Sequence, residues 1–212
     1  MPEPSDAAAL TQRRDASVAG VVLAAGTSTR MGRNKLLFEL AGSTVLRRAV
    51  SRATEAGLDP VIVVLGHEAE RARPELDHLP VEVVVNPSYQ DGLNASLRAG
   101  IAALPPATCA AVVLLADMPF VTTAMLVTLV ERYRAGTAPL VISEYAGVNA
   151  PPILYDRSLF PELLTGAGEG AGREVVRRHR SEGVVVSWPA SALADLDMPD
   201  DYDRVLAQID MF

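Results

Sequence analysis

The single lysine of this chain lies in a glycine-bearing loop that directly follows the first apolar run. Eighteen of the nineteen cationic side chains are arginine, and the one lysine is Lys35. The loop also carries Gly26 and Arg30, and its small residues would let backbone N–H groups approach an anion closely. Because an ammonium is a compact point charge and a guanidinium a planar fork, a lone lysine here indicates contact with phosphate. A solvated loop with an incidental lysine is the alternative.

The glycine spacing of this loop differs from two common phosphate-binding patterns. Five residues separate Gly26 from Gly32, and Lys35 follows three positions later. A P-loop has four residues between its glycines and a lysine directly after the second. The Gly-x-Gly-x-x-Gly pattern of dinucleotide-binding proteins is absent as well. An ATPase and a dehydrogenase are therefore both less favoured.

Two acidic segments have the composition of metal ligands. Asp117 follows the apolar stretch 110–116, and Mg²⁺ typically binds one or two such carboxylates together with substrate phosphates. A turn or helix-capping aspartate is the alternative for this position. Near the C-terminus, Asp200 and Asp201 suit the positive first turn of a helix, but Asp197 is not explained in that way.

Apolar runs alternate with helical patterns along the first two thirds of the chain. Strands are predicted near 18–24, 60–65, 81–85 and 109–116, and helices near 44–56, 92–103 and 122–134. Near-continuous Val, Ile and Leu strands indicate burial on both faces, which predicts a doubly wound, mostly parallel α/β sheet in three αβα layers. Ligands of such sheets bind beyond the carboxyl ends of the strands, where the lysine loop, Gly66, Asn86 and Asp117 all fall.

The loop that ends at Lys35, with its Leu-Ala-Ala-Gly opening, closely resembles the signature loop of the nucleotidyltransferases that act on the molybdenum cofactor. The opening is more similar to the cytidylyltransferase branch than to the guanylyltransferase branch, which usually has Leu-Ala-Gly-Gly. Segments at Asn86 and from Gly92 to Ser96 resemble the family's base- and ribose-reading element, although a plain helix start would look much the same. The nucleotide-binding residues implied are Leu23, Ala24, Ala25, Gly26, Arg30, Lys35, Gly66, Asn86, Gly92 and Ser96.

The same resemblance implies catalytic and metal-binding roles. Arg30 and Lys35 would stabilise the triphosphate, and Asp117 stands in an Ala-Asp-Met-Pro segment that resembles the family's metal-binding motif. Asp197 matches the second metal carboxylate, with Met198 in place of the usual threonine. The catalytic residues implied are Arg30, Lys35 and Asp117, and the Mg²⁺ ligands are Asp117 and Asp197.

The acceptor side follows the family pattern less closely. Pro151 stands where the family usually has histidine, and Glu169 stands where aspartate is usual. The acceptor-binding residues implied by the resemblance are Pro151, Gly172 and Arg173. For Arg173, an exposed arginine at a plain helix start is the alternative. The sequence therefore identifies the nucleotide more firmly than the acceptor.

The resemblance covers most of residues 18–205 and implies a Rossmann-like fold of the nucleotide-diphospho-sugar transferase type. We expect one domain at 18–212, with a nucleotide-binding half at 18–135, an acceptor-binding half at 136–212 and a flexible tail at 1–17. The implied reaction transfers CMP from CTP to the molybdenum-pterin cofactor with release of pyrophosphate. An ionised acceptor phosphate is already a nucleophile, so positioning and charge neutralisation are the main demands on the protein.

Three alternatives stay open at this point. The nucleotide is GTP in the first, the acceptor is a sugar or lactate phosphate in the second, and the third is a non-catalytic carrier of the finished cofactor. A molybdoenzyme or its insertion chaperone is a further partner that the assignment leaves open.

The composition of the chain limits the partners and the cellular location to be expected. The formal charge of −7 argues against broad binding to nucleic acid, and no run approaches the roughly 20 apolar residues of a membrane helix. The one cysteine, Cys109, has no internal disulfide partner and is expected to be a small buried residue. We expect a cytoplasmic protein without a nucleic-acid or membrane partner.

Overall fold

The computed structural model of this chain describes residues 17–28, 31–166, 170–194, 196 and 199–208. The predicted tail at 1–17 lies outside these residues except for Ser17. The strands are β1 (Val18–Ala24), β2 (Glu39–Leu40), β3 (Ser43–Thr44), β4 (Val61–Leu65), β5 (Glu82–Val85), β6 (Ala110–Leu115), β7 (Leu140–Tyr145), β8 (Val148–Asp156) and β9 (Val184–Trp188). The helices are α1 (Val45–Glu55), α2 (Ala69–Ala72), α3 (Leu93–Ala102), α4 (Thr123–Arg134), α5 (Phe160–Thr165), α6 (Ala171–His179) and α7 (Pro199–Leu206).

Seven of the strands form one sheet in the order β5-β4-β1-β6-β8-β7-β9. Strands β5, β4, β1 and β6 are mutually parallel, β8 is antiparallel to both its neighbours, and β9 is parallel to β7. The sheet is therefore mostly parallel. Strands β2 and β3 form a separate antiparallel pair.

The carboxyl ends of three central strands lie at one level. Leu23 of β1 is in register with Leu115 of β6, and Ala24 of β1 is in register with Leu65 of β4. Because these strands are parallel, the segments that follow them leave the sheet at the same edge. This edge therefore brings together the lysine loop, Gly66 and Asp117.

Alternate residues of the central strands face two helical layers. On one side Val22, Val63 and Val112 belong to the core that α1 and α4 cover. On the other side Val21 and Val64 belong to the core that α3, α5 and α6 cover. Burial on both faces explains why these strands are almost uniformly apolar, and the predicted three-layer, doubly wound α/β fold is confirmed.

Most predicted elements agree with the structure to within two residues at each end. Two short features were not anticipated, the hairpin of β2 and β3 and the four-residue helix α2, because neither is long enough to show a hydrophobic period. Strand β8 is the longest of the described strands and runs from Val148 to Asp156. Cys109 is half-buried rather than buried, and it precedes β6 at the end opposite Asp117. Among the described residues, no helix is long and apolar enough to cross a membrane.

Candidate active site

A cleft of about 300 Å³ opens at the carboxyl edge of the sheet, between the end of β1, the end of β6 and the start of α3. Most of the predicted nucleotide-binding residues line it, together with several that the sequence did not single out. The lining residues are Leu23, Ala24, Ala25, Gly26, Thr27, Lys35, Leu36, Tyr89, Gln90, Gly92, Leu93, Ser96, Leu115 and Asp117.

Lys35 and Asp117 both line this cleft and form an ion pair. The Nζ atom of Lys35 lies 2.6 Å from Oδ2 of Asp117, and their side chains are only 11% and 22% exposed. At this exposure the pair is screened less than a surface ion pair would be. The geometry therefore places one ammonium and one carboxylate side by side in a partly buried cleft.

Local hydrogen bonds hold the lysine in this position. The side chain of Asn34 accepts a hydrogen bond from the N–H of Leu36 at 3.1 Å and so caps the short 3-10 helix Lys35–Leu37. The N–H of Lys35 donates to Oγ of Ser28 at 3.2 Å, which ties the end of the loop to its beginning. Arg30, the second cation predicted for this loop, lies outside the described residues.

The second acidic segment reaches the same site through Leu196. Its N–H donates to the carbonyl oxygen of Asp117 at 3.3 Å, and its side chain is fully buried. Asp197, the predicted second metal ligand, and Asp195 lie outside the described residues. This hydrogen bond places Leu196 beside the backbone of Asp117.

Helix α7 is fastened beside the lysine loop. The hydroxyl of Tyr202 donates to the carbonyl oxygen of Glu39 at 2.6 Å. Its ring packs edge-on against Phe38 with the centroids 5.3 Å apart, and Arg33 lies 4.2 Å above the centroid of the Phe38 ring. These contacts hold the C-terminal segment against residues that directly follow Lys35.

Gly66 lies behind the cleft rather than in its lining. A Cβ atom at this position would lie 2.6 Å from Cβ of Tyr89 and 2.8 Å from Cβ of Ala25. Only glycine fits such a close approach. Its lack of a side chain lets Tyr89 and Ala25, which both line the cleft, approach its backbone closely.

Two lining residues beside the start of α3 were missed at the level of sequence. Tyr89 supplies an aromatic wall, and Leu93 leaves 50% of its surface exposed, which is unusual for a large apolar side chain next to a cleft. The only signal in the sequence is an aromatic residue shortly before Gly92, which does not distinguish a binding wall from a core position.

Asn86 and Ser96 form a buried pair that supports this wall. Nδ2 of Asn86 donates to Oγ of Ser96 at 3.1 Å, and Oδ1 of Asn86 accepts from the N–H of Ser88 at 3.0 Å. Asn86 does not line the cleft, whereas Ser96 does. Since the Ser96 oxygen accepts from Asn86, its own O–H is available to donate into the cleft.

Asn94 has a bridging role. Its side-chain oxygen accepts a hydrogen bond from the N–H of Ala171 at 3.0 Å, and the residue is buried. This bond joins the first turn of α3, beside the cleft, to the first turn of α6. The expected acceptor-binding residues Gly172 and Arg173 directly follow that contact.

The predicted acceptor residues do not line the cleft. The carbonyl oxygen of Pro151 accepts from the hydroxyl of Tyr145 at 2.9 Å, and that of Gly172 accepts from the hydroxyl of Tyr155 at 3.4 Å. Burial raises the pKa of Tyr155, which keeps its hydroxyl protonated as a donor. Arg173 is exposed.

Strand register nevertheless brings the start of β8 towards the cleft. Val113 of β6 is paired with Ile153 of β8. Extending that antiparallel register by two residues places Pro151 level with Leu115, which lines the cleft. Glu169, in the loop before Gly172, lies outside the described residues.

The donors around Asp117 fit a magnesium ion of the substrate-bridging kind. Among the residues that the structure describes, no group of three or more His, Cys, Asp or Glu side chains forms a metal cage. Magnesium in phosphate-transfer sites needs only one or two carboxylates, because substrate oxygens and water complete its coordination. Asp117 offers one such carboxylate at the cleft.

Comparison with known proteins agrees with this geometry. Residues 20–184 match the MobA-like NTP transferase domain. Purine catabolism protein PucB of Bacillus subtilis is 31% identical over 198 residues, which cover 88% of this chain and 94% of PucB. Nicotine blue oxidoreductase of Paenarthrobacter nicotinovorans is 28% identical, with 77% of this chain and 82% of that protein covered. A probable molybdenum cofactor guanylyltransferase of Opitutus terrae is 34% identical over 126 residues, with 59% and 60% covered.

Solved structures extend the likeness over nearly the whole fold. Rv0371c from Mycobacterium tuberculosis H37Rv superposes with a TM-score of 0.80 at 30% identity, covering 91% of this chain and 98% of that one. The same protein in complex with manganese gives a TM-score of 0.76 at 30% identity, with 90% and 98% covered. The chain described here therefore belongs to the MobA-like NTP transferase family and is a nucleotidyltransferase of that type.

Proposed function

We propose that this chain transfers CMP from CTP to the molybdenum-pterin cofactor and releases pyrophosphate. The observation that carries the proposal is the close pair of Lys35 and Asp117 in a cleft walled by the small residues of the β1 loop. The Leu-Ala-Ala-Gly opening of that loop supports CTP as the nucleotide.

The cleft offers the two kinds of contact that a nucleoside triphosphate needs. Ala25 and Gly26 allow backbone N–H groups to approach phosphate oxygens, and Lys35 adds a compact positive charge. At the other end of the cleft, Tyr89 and Ser96 present an aromatic face and a hydroxyl donor to the base and ribose. The triphosphate would thus lie towards β1 and the nucleoside towards α3.

The proposed chemistry is an in-line displacement at the α-phosphorus. A phosphate oxygen of the acceptor forms the new P–O bond, the bond to the bridging oxygen breaks, and pyrophosphate leaves with the electron pair. Lys35 would neutralise the negative charge that grows on the leaving pyrophosphate. No side chain needs to remove a proton, because the attacking phosphate is already ionised at neutral pH.

Mg²⁺ is the proposed metal, with Asp117 and Asp197 as its protein ligands. When bound, the ion polarises the α-phosphate and neutralises charge on the triphosphate. In the absence of substrate, Asp117 is held by Lys35 at 2.6 Å. Substrate phosphates would compete with the Asp117 carboxylate for the ammonium, which would free carboxylate oxygen for the metal.

The acceptor would enter from the second half of the chain. Pro151, Gly172 and Arg173 flank the cleft in this proposal, and exposed Arg173 is suited to a phosphate or pterin oxygen. The residues from 136 onwards would form the acceptor-binding half, and those from 18 to 135 the nucleotide-binding half. A molybdoenzyme or its insertion chaperone would receive the product.

GTP is the second candidate nucleotide. The relative from Opitutus terrae, named as a guanylyltransferase, supports it. The two nucleotides differ in base size, so the wall formed by Tyr89 and Leu93 is the part of the cleft that would discriminate between them.

Pyrophosphate release tests the proposal directly. The purified chain is incubated with molybdenum-pterin cofactor, Mg²⁺ and each of CTP, GTP, ATP and UTP. Parallel reactions lack the cofactor or the metal, or contain a sugar phosphate or lactate phosphate in place of the cofactor. The proposal expects release with CTP that requires both cofactor and Mg²⁺, and a CMP-bearing product by mass spectrometry. Pyrophosphate release with GTP alone would show that GTP, not CTP, is the nucleotide substrate. Release only with sugar or lactate phosphates would show that the acceptor is not the cofactor. Cofactor binding without any release would indicate a carrier.

A further inference from the structure

A second cavity, of about 480 Å³, lies between α1 and the first turn of α4. It shares no lining residue with the cleft of Lys35 and Asp117. Six of its lining residues carry hydrogen-bond donors: Ser43, Arg48, Ser51, Arg52, Thr122 and Thr123. The cavity is therefore rich in donors and separate from the proposed active site.

Two arginines in this cavity lack a carboxylate partner. Arg48 and Arg52 are four residues apart on α1 and so lie on the same side of the helix, one turn from each other. The Nε atom of Arg48 is buried and has no hydrogen-bond partner among the described residues. Over the described part of the chain, no carboxylate forms an ion pair with either guanidinium. Buried donors are nearly always paired in folded proteins, so Arg48 retains unused hydrogen-bonding capacity beside the cavity.

The one carboxylate of the lining does not balance these charges. Glu55 is exposed, and its Oε2 accepts a hydrogen bond from the hydroxyl of Thr123 at 3.2 Å. Burial, followed by the charge of Arg48, lowers the pKa of Arg52 to about 10, and Glu55 acts in the opposite direction. Two guanidinium groups and one carboxylate line the cavity, which leaves it with one excess positive charge.

We propose that this cavity binds a phosphate group, with Arg48 and Arg52 as its principal ligands. Two guanidinium groups and several hydroxyls line the cavity, and such a set of donors fits a tetrahedral oxyanion with several acceptor oxygens. A planar carboxylate offers only two oxygens and would leave some of these donors unpaired. Phosphate binding in this cavity does not depend on which nucleotide or acceptor binds in the main cleft.

The size of the cavity limits which phosphate-bearing ligands fit it. The open cavity of about 480 Å³ has room for a phosphate group with a second group attached. The ligand class is therefore pyrophosphate or a small phosphate ester. The two share one recognition chemistry, and the experiment below distinguishes them.

Arg52 connects this cavity to the loop that carries Asp117. Its guanidinium donates hydrogen bonds to the carbonyl oxygens of Pro119 and Val121. Both residues lie between Asp117 and the start of α4. A phosphate bound at Arg52 would fix the guanidinium, and through it the backbone of residues 118–122.

Thermal unfolding and calorimetry test the site in the full-length chain. Both are carried out in the Lys35→Ala background, so that weakened phosphate binding in the main cleft does not mask the second site. The probes are pyrophosphate, ribose 5-phosphate and orthophosphate, each compared with chloride at equal ionic strength. We expect pyrophosphate or ribose 5-phosphate to raise Tm in a saturable manner and to bind more tightly than orthophosphate.

Substitution of Arg48 by methionine supplies the decisive variant. Methionine keeps the apolar stem and removes an unpaired buried donor, so Arg48→Met is expected to unfold no earlier than its parent in phosphate-free buffer. Its affinity for the phosphate probe is expected to fall about tenfold or more, the loss of one charge-assisted contact. Arg132→Ala removes an exposed arginine from α4 and is the charge-matched control.

Each outcome decides the proposal. Saturable binding that Arg48→Met weakens and Arg132→Ala leaves within about twofold supports the site. Equal weakening by both variants would show a general charge effect, and unchanged binding in Arg48→Met would place the anion elsewhere. Absence of any saturable shift with all three probes overturns the proposal. The link to Asp117 is supported if the probe slows amide exchange at 118–122, and refuted if exchange there is unchanged on binding.

Discussion

The ammonium of Lys35 and the carboxylate of Asp117 lie 2.6 Å apart, although 82 positions separate them in the sequence. The parallel pairing of β1 with β6 makes this possible, because it ends both strands at the same edge. Each residue partly satisfies the charge of the other in the free protein. In the proposed complex, substrate phosphates would bind Lys35 and a metal ion would bind Asp117, and each would be a stronger partner than the ion pair.

Removing either charge should therefore slow turnover far more than it changes the fold. Lys35→Ala and Asp117→Asn are each expected to lower kcat about a hundredfold or more, equivalent to about 3 kcal/mol of lost electrostatic stabilisation. The double variant should lose less than the product of the two single effects, because the residues act on one phosphate chain. Steady-state pyrophosphate release measures all three.

Arg33→Ala is the control, a change in the same loop on the side of Phe38. Its kcat should stay within about twofold of the parent value, and a hundredfold loss in this variant would contradict the assignment.

Two glycines at the cleft should respond to alanine in different ways. Gly66→Ala is expected to cost about 1–3 kcal/mol of unfolding free energy by overpacking, because its Cβ would meet Tyr89 and Ala25 at under 3.0 Å. Gly26→Ala meets no atom of the described residues within 4 Å, so its stability should be unchanged. In the proposed complex its methyl group would occupy space that the phosphates need, and nucleotide affinity should fall about tenfold, or about 1.4 kcal/mol. Urea unfolding and calorimetric titration separate the two effects, and equal stability losses would refute this distinction.

The parts of the site that sequence predicts best are those fixed by topology. Lys35 and Asp117 each follow a strand recognisable from its apolar run, and in a parallel sheet that alone brings them to one edge. Tyr89 and Arg52 have no such signal. Their positions depend on how a loop packs on Gly66 and how α1 packs beside the loop after Asp117, and packing of this kind is not periodic in the sequence.

The predicted acceptor-binding residues also show how far sequence reaches, because short motifs identify them but packing decides whether they reach the cleft. Short motifs identify Pro151 and Gly172 by resemblance, but their carbonyl groups are occupied by tyrosine hydroxyls inside the second half of the sheet. Whether such a residue faces a cleft depends on the register of β8, which is antiparallel and paired on both sides. The two-residue turn Ala146-Gly147 joins β7 to β8 with positive φ at both residues. Ala-Gly is not one of the usual sequence signals for such a turn, and the pairing also shifts between Ile142 and Glu144, so the register could not be read from the sequence.

Asn86 should matter for stability more than its place behind the cleft suggests. Asn86→Ala removes the acceptor of the Ser88 N–H and the donor to Ser96, and loss of a buried partner costs about 1–3 kcal/mol. Ser96→Ala should also lower nucleotide affinity, since the Ser96 hydroxyl lines the cleft. Chemical unfolding of both single variants and the double variant gives their coupling energy. Asn149→Ala, at an exposed asparagine, is the control, and additive effects of Asn86→Ala and Ser96→Ala would argue against the pair.

The link between α5 and α6 should weaken as pH rises. Nε2 of His179 lies 2.8 Å from Glu162, and Nδ1 lies 3.2 Å from Glu182. The hydrogen bond to Glu162 is the main cause that raises the pKa of His179 above its usual 6.5, while His179 and then Arg178 lower the pKa of Glu162. A raised folded-state pKa gives stability that is fully present below about pH 6.5 and is lost as pH increases through the folded value.

The variant His179→Gln isolates this contribution. Below about pH 6.5 it should be less stable than the parent by up to about 1 kcal/mol, the upper range for a largely solvent-screened pair, and the difference should shrink towards about pH 9. Urea unfolding across that pH range measures the difference. His78→Gln, at an exposed histidine of another loop, controls for loss of a titrating group. A difference between His179→Gln and parent that stays constant with pH would show that the imidazole contributes packing rather than charge, because only the charged contribution disappears with the proton.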